Sequence, residues 1–277
     1  MIHVKKAFVI GHPIKHSRSP LIHGTWLKEH GIAGSYDAID VAPEDLPGFV
    51  GRIRAGEFVG GNVTIPHKED VFRLCDAVDP LAQTIGAVNT LVREEGGRIR
   101  GFNTDYMGFL GNLDQNAPGW SERLGRAIVL GAGGAARAIL VALRERGFRE
   151  IVLLNRTAEK AVALAREIEG PFTPGRLDEY GAYAGGADLL VNTTSIGMHD
   201  TRFDGLDLGL LPETALVTDI VYVPLVTPLL ADARAIGLRT VDGLGMLLHQ
   251  AIPGFEAWFG VRPEVTPELR AKVEATL

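Results

Sequence analysis

The sequence predicts an α/β fold in two domains, and three observations carry that prediction. Short apolar runs of strand character alternate with helical stretches, which places helices over a mainly parallel sheet. The alternation starts twice, at "AFVIG" (7–11) and again at "AIVLGAGGAARAILVALRERG" (127–147). Finally, 277 residues, 46% hydrophobic and 22% charged, suffice for two cores without disulfide or metal staples.

In the first half, "AFVIG" reads as a strand followed by a loop and a helix around 20–30. "YDAIDV" (36–41), "GGNVTI" (60–65) and "AVNTLV" (87–92) are further strands, with helices over 43–55 and 67–75 between them. "NLDQNAPGWSE" (112–122) is loop-like, so the second domain begins near 106–126. There a strand runs straight into a glycine turn and a helix ending at Gly147. "EIVLLNR" (150–156), a helix over 157–169, "ADLLVNTT" (187–194), "ALVTDIVY" (215–222) and "RTVDG" (239–243) continue the alternation. Two helical stretches close the chain, 243–259 and 266–276, the latter opened by a Thr266 cap and Pro267 in its first turn.

Charge and cysteine content exclude several classes. The net charge is −6, from 28 basic and 34 acidic residues, with no basic run. A nucleic-acid backbone is therefore not expected as a partner, although a local basic pocket could hold a small anion. Cys75 is the only cysteine, so neither an intrachain disulfide nor a Cys-rich zinc site is available. The start, "MIHVKKAFVIGHP", lacks the features of a signal peptide, and no apolar run has the length of a membrane span. The expected compartment is cytoplasmic, with no membrane partner.

The glycine turn carries the first chemical signal. Gly131, Gly133 and Ala136 fit the G-x-G-x-x-G/A pattern, with a strand before and a helix after. Such glycines let the backbone turn tightly and approach a pyrophosphate, which the helix amino terminus then holds. The bland alternative is a tight turn without a ligand. At the end of the next strand, NAD readers place an Asp or Glu for the ribose 2′-hydroxyl. This chain has Asn155-Arg156-Thr157, with Lys160 one turn on. An arginine fork with amide and hydroxyl donors suits a 2′-phosphate, which favours NADP over NAD.

The first domain places polar residues where packing does not ask for them. Ser17 and Ser19 follow the first strand, Asn62 and Thr64 share one strand face, and Asn89, Asn103, Thr104 and Asp105 lie at later strand ends. In open α/β sheets ligands lie beyond the carboxyl ends of strands, so these positions suit a small molecule rich in hydroxyl groups. Each has a dull reading as well: Ser19 could cap a helix, and Asn89 or Asn103 could satisfy turn backbone. His12, His16, His23 and His67 read as structural, and no histidine spacing suggests a metal. Lys68, taken alone in "NVTIPHKED" (62–70), reads as a surface charge.

Taken together, "GHPIKHSRSP", "GNVTIPHKE", "IGAVNTL", "GFNTDYMGF", "GAGGAARA", "NRT" and "DGLGMLLHQA" resemble, in this order and across essentially the whole chain, the shikimate dehydrogenases. The resemblance implies reversible NADPH-dependent reduction of 3-dehydroshikimate to shikimate, on the route to chorismate and the aromatic amino acids. It implies a substrate domain (1–105), a Rossmann-like NADP-binding domain (106–242), and C-terminal helices (243–277) returning to the first domain. By motif position Lys68 and Asp105 become the catalytic pair. Ser17 and Ser19 become the hydroxyls for the substrate carboxylate, assisted by Tyr222, while Asn62, Thr64, Asn89, Thr104 and Gln250 face the ring and its hydroxyls. The cofactor positions are Gly131, Ala132, Gly133, Gly134 and Ala135 in the loop, then Asn155, Arg156, Thr157 and Lys160. Thr193, Ile220, Gly243 and Met246 complete them, the last two near the nicotinamide.

The chemistry agrees with these residue types. Ketone reduction needs a hydride on one face and a proton for the developing alkoxide. A protonated Lys68 can stabilise and protonate that oxygen, and a neutral one can accept the proton in the oxidative direction. Asp105 can orient both partners, and which of the two is the formal acid–base group stays open. No metal is required. Enzymes of this class that also take quinate often carry threonine at the second serine and an acidic residue in place of Asn155-Arg156; Ser19 and Asn-Arg-Thr therefore favour shikimate and NADP. Tyr106 and His67 depart from the family pattern, where glycine and phenylalanine are common. The competing readings are a quinate-type or paralogous dehydrogenase, and an NADP-binding regulatory module without chemistry, against which the intact Lys68 and Asp105 count. The sequence is compatible with a monomer or a homodimer.

Overall fold

The computed structural model describes residues 4–199 and 201–277. Two compact units divide the chain. One comprises the residues through Thr104 together with Gln250–Thr276, and the other is Asp105–His249.

In chain order, the first unit holds β1 (Lys5–Gly11), α1 (Ser19–Glu29), β2 (Gly34–Asp40), α2 (Leu46–Arg54), β3 (Gly60–Val63) and α3 (Lys68–Leu74). It continues with β4 (Ala77–Val78), α4 (Pro80–Ile85), β5 (Thr90–Arg93) and β6 (Ile99–Phe102). The strands lie in the order β2-β1-β3-β5-β6-β4. β1 pairs in parallel with both β2 and β3, and β4 with β6, whereas β5 runs antiparallel to β3 and β6. Phe8 and Ile10 of β1 are fully buried with Phe49, Val50 and Ile53 of α2, and Phe8 meets Phe49 edge-on at 4.9 Å.

The second unit opens with α5 (Asp105–Asn116), then β7 (Arg126–Leu130), α6 (Gly134–Arg146), β8 (Glu150–Asn155), α7 (Ala158–Ile168) and β9 (Phe172–Arg176). Next come α8 (Tyr180–Ala184), β10 (Leu189–Asn192), β11 (Ile196–His199), β12 (Leu216–Asp219), α9 (Pro228–Ala235), β13 (Arg239–Val241) and α10 (Leu244–His249). Its six-stranded sheet runs β13-β12-β10-β7-β8-β9, with every neighbouring pair parallel. Numbered by their place in that sheet, the strands read 6-5-4-1-2-3, the dinucleotide-binding order, which reverses between β7 and β10. Ile128, Leu130, Val152, Leu154, Leu190 and Val217 are fully buried beneath the helices, which is why these strands read as continuous apolar runs.

The last two helices are α11 (Ala251–Phe259) and α12 (Pro267–Glu274). The Trp258 indole of α11 donates to the Leu91 carbonyl of β5 at 2.8 Å, and the Thr266 hydroxyl caps α12 by accepting from Leu269 N. Several expected boundaries move. The loop-like stretch 112–122 begins inside α5, because Asn112 is buried and donates to the Asp242 carbonyl at 2.7 Å. The expected helix 243–259 is two helices meeting at Gln250, of which α10 packs on α5 in the second unit and α11 belongs to the first. The strand expected over 60–65 ends at Val63, although Thr64 N still donates to Ile10 O at 2.9 Å.

Candidate functional site

In the first unit the polar residues gather at strand ends. Ser17 lies in the loop after β1, where its oxygen accepts from Ser19 N at 3.3 Å. Ser19 opens α1 as its first residue but makes no capping bond, so helix capping does not explain it. It is buried, at 7% exposure.

Asn62, on β3, is also buried, and both ends of its carboxamide are hydrogen-bonded. Its carboxamide oxygen accepts from the Tyr36 hydroxyl at 2.6 Å, and its nitrogen donates to Asn89 O at 3.2 Å and Thr90 Oγ1 at 3.1 Å. The Asn89 side-chain oxygen accepts from Thr104 N at 2.8 Å, with the Thr104 and Thr90 hydroxyls at 3.2 and 2.9 Å. The structure thus brings Asn62, Asn89 and Thr104 into one buried hydrogen-bonded cluster. Asn103 donates to the Ala87 carbonyl at 3.1 Å, a bond that supports the turn. Thr64 is half-buried just past β3.

Lys68 is the first residue of α3 and is half-buried rather than fully exposed. Its carbonyl accepts from Val88 N at 2.9 Å, which ties the helix start to the loop that carries Asn89. His67, directly before it, is completely buried, and its Nε2 donates to the Val41 carbonyl at 2.8 Å. That bond gives His67 the structural role its sequence suggests. His23 is likewise buried, stacked on Tyr36 with ring centroids 4.0 Å apart. Gln250 is half-buried at the start of α11.

In the second unit the glycine loop joins β7 to α6. Gly131 has φ +103°, and a Cβ there would lie 2.6 Å from Thr194 Cγ2 and 3.0 Å from Thr193 Oγ1, so only glycine fits. By contrast, a Cβ on Gly133 or Gly134 meets nothing within 4 Å, which leaves open space over the amino terminus of the 13-residue α6. That is the space and the dipole end that a pyrophosphate needs. Ala132 and Ala135 complete the loop. The Ala132 amide donates to the Asn155 side-chain oxygen at 3.2 Å. Arg156, Thr157 and Lys160 are exposed beyond the end of β8, and Arg156 makes no ion pair among the described residues.

Thr193 sits where the strand order reverses, and its hydroxyl donates to the Leu130 carbonyl at 2.8 Å, tying the end of β10 to the end of β7. Asp219, at the end of β12, is fully buried and anchors the loop that carries Ile220 and Tyr222. It accepts from Asn192 Nδ2 at 2.9 Å, Val221 N at 2.9 Å and Thr227 Oγ1 at 2.7 Å, while burial pushes its carboxyl above the ordinary range. A Cβ on Gly243 would lie 2.4 Å from the Ile220 carbonyl, so glycine permits the close approach of these two predicted cofactor positions. Met246 and Tyr222 are half-buried, as are Asp105 and Tyr106 at the start of α5. No group of three or more His, Cys, Asp or Glu among the described residues is placed to hold a metal ion.

Lys68 and Asp105 lie in different units, as do the serines and Tyr222. Sequence reasoning missed Tyr36, Thr90 and Asp219. Tyrosine and threonine are ordinary strand residues, and only their buried bonds distinguish these two. The one available signal for Thr90 was its place directly after Asn89.

Comparison with known proteins gives a consistent result. Residues 9–91 match the family described as shikimate dehydrogenase substrate binding domain, 118–245 match shikimate / quinate 5-dehydrogenase, and 243–267 match the shikimate 5′-dehydrogenase C-terminal domain. The chain is 58% identical to a shikimate dehydrogenase (NADP(+)) from Mesorhizobium japonicum, across 99% of this chain and 97% of that one. Among solved structures it is similar to shikimate 5-dehydrogenase of Thermus thermophilus in complex with NADP(H) and shikimate. That likeness has 40% identity and a TM-score of 0.87, and covers 99% and 100% of the two chains. It is also similar to quinate dehydrogenase of Corynebacterium glutamicum in complex with NAD, at 30% identity and a TM-score of 0.88, covering 99% and 98%.

Proposed function

This chain belongs to the shikimate dehydrogenase family, and from that premise we propose its reaction: the reversible reduction of 3-dehydroshikimate to shikimate with NADPH. It is an oxidoreductase acting on a CH–OH group, in chorismate and aromatic amino-acid biosynthesis. At residue level the reading is carried by the buried amide–hydroxyl cluster of Asn62, Asn89 and Thr104, whose loop is tied by backbone to the start of α3 at Lys68. Such a set suits a small ring bearing several hydroxyls.

The second unit fits the dinucleotide. The open amino terminus of α6 at Gly133 and Gly134 would hold the pyrophosphate, and Arg156, with Thr157 and Lys160, the 2′-phosphate. Bound NADPH would supply the hydride. Lys68, protonated, stabilises the oxygen as it gains negative charge and gives it a proton; in the oxidative direction the neutral amine takes that proton. Asp105 orients the ammonium and the reacting hydroxyl. Ser17 and Ser19, with Tyr222, hold the carboxylate, and Thr64 and Gln250 join the amide cluster in reading the ring. Ile220, Gly243 and Met246 line the nicotinamide end.

The fold alone does not choose the acid, since a quinate dehydrogenase shares it at a TM-score of 0.88. Ser19 and the Asn155-Arg156-Thr157 run favour shikimate and NADP. Steady-state rates with shikimate and quinate, each with NADP and NAD, test the choice. The reading expects shikimate with NADP to be the best combination. A clear preference for quinate contradicts it, and no turnover in any combination contradicts enzymatic function altogether. No described helix is long and apolar enough to cross a membrane. A cytoplasmic monomer or homodimer is the accompanying proposal, checked by fractionation and sedimentation.

A further inference from the structure

We propose that Thr90 is a positioning residue for the substrate: its hydroxyl holds the carboxamides of Asn62 and Asn89 in the orientations that substrate binding requires. The inference rests on the functional reading above. Thr90 is the first residue of β5, 2% exposed, with Asn62 of β3 as its cross-strand partner. Its oxygen accepts from Asn62 Nδ2 at 3.1 Å and donates to Asn89 Oδ1 at 2.9 Å, and it lies 3.2 Å from Thr104 Oγ1. Three residues assigned to substrate therefore converge on one hydroxyl.

The backbone dictates which end of each carboxamide faces Thr90. The Asn62 side chain also meets the Asn89 carbonyl, which can only accept, so its nitrogen is on that side and its oxygen turns to the Tyr36 hydroxyl. The Asn89 side chain meets the Thr104 amide, which can only donate, so its oxygen is on that side. Between an N–H donor and a carboxamide oxygen, only a group that both accepts and donates satisfies both. A hydroxyl does this and valine, of the same shape, does not. With valine, one Asn62 N–H loses its acceptor and Asn89 Oδ1 loses a donor, at side chains no more than 5% exposed. Both carboxamides then relax from the geometry that reads ring hydroxyls, while the nucleotide half in the second unit is untouched.

The test compares wild type with Thr90→Val and Thr90→Ser in steady-state kinetics, alongside thermal melting. For T90V the expected result is a KM for shikimate raised about tenfold, the change that follows from one unmet buried hydrogen bond. The KM for NADP is expected to stay within about twofold, and T90S to return the shikimate KM to within about threefold of wild type. If T90V does not fold, Thr90→Ala carries the same expectation. An unchanged shikimate KM in T90V, a T90S as impaired as T90V, or an equal rise in the NADP KM overturns the inference alone, because wild-type turnover still stands. No shikimate turnover by the wild-type chain overturns the functional reading and this inference with it.

Discussion

The Ala132 amide donates to the side-chain oxygen of Asn155 at 3.2 Å, so the glycine loop and the end of β8 are held as one surface. The same carboxamide turns its nitrogen to the Thr157 carbonyl at 2.9 Å. An asparagine thus occupies the strand end where a carboxylate would repel a phosphate, and the Arg156 guanidinium beside it makes no ion pair among the described residues. Arg156→Ala is expected to raise the KM for NADP about tenfold or more, because charge-assisted bonds of about 1.5–3 kcal/mol are lost. The KM for NAD should change by no more than about threefold. Equal losses for both nucleotides would remove Arg156 from the role of phosphate reader.

Gly131→Ala tests the loop itself. Its φ of +103° and the 2.6 Å approach to Thr194 Cγ2 leave no room for a methyl group. Backbone strain of this kind costs about 1–3 kcal/mol. Urea denaturation should show that loss, and direct titration should show weakened binding of both NADP and NAD. A variant as stable as wild type, with unchanged nucleotide affinity, would mean that the crevice tolerates what the geometry forbids.

Much of this organisation is legible in the sequence, and the exceptions have physical causes. In the second unit β7, β8, β10 and β12 were readable because they are buried almost throughout and glycines mark the turn after β7, whereas β9, "FTPGR", is only partly buried and carries no apolar run to announce it. β4 and β6 were not readable either, since β4 has only two residues and β6, "IRGF", has no sustained alternation. The polar residues of α5 around Asn112 and Asn116 disguised a helix. Its reason is tertiary: Asn112 is 1% exposed and bonded to the Asp242 carbonyl, a partner 130 residues away. The proposed site residues stand out in the sequence by type and order, whereas Thr90 and Tyr36 become visible only through the bonds they make. Asp219 was hidden for the same reason, as it holds a loop rather than a ligand.

His23 makes a prediction about acid stability. Burial among Tyr36, Trp26, Phe255 and Trp258 lowers its imidazole pKa from 6.5 to about 3, with the nearby Asn62 opposing the shift more weakly. Between those two values the unfolded chain binds a proton that the folded chain does not. The stability contributed by a neutral His23 is therefore complete above pH 6.5 and is lost as pH falls towards 3, at up to about 1.4 kcal/mol per pH unit. Denaturant midpoints at pH 7 and pH 5 should separate more for wild type than for His23→Phe. Identical separations would show that His23 does not contribute to the acid limb.

In the proposed reaction Lys68, at the start of α3, moves the proton. That role is tested most directly by the kcat and KM of Lys68→Ala with shikimate and NADP. The expected kcat is lower by about 100-fold or more, in line with the loss of a general acid–base group, with a much smaller change in the KM for shikimate. A kcat that survives while only the KM rises would make Lys68 a binding residue and contradict the mechanism.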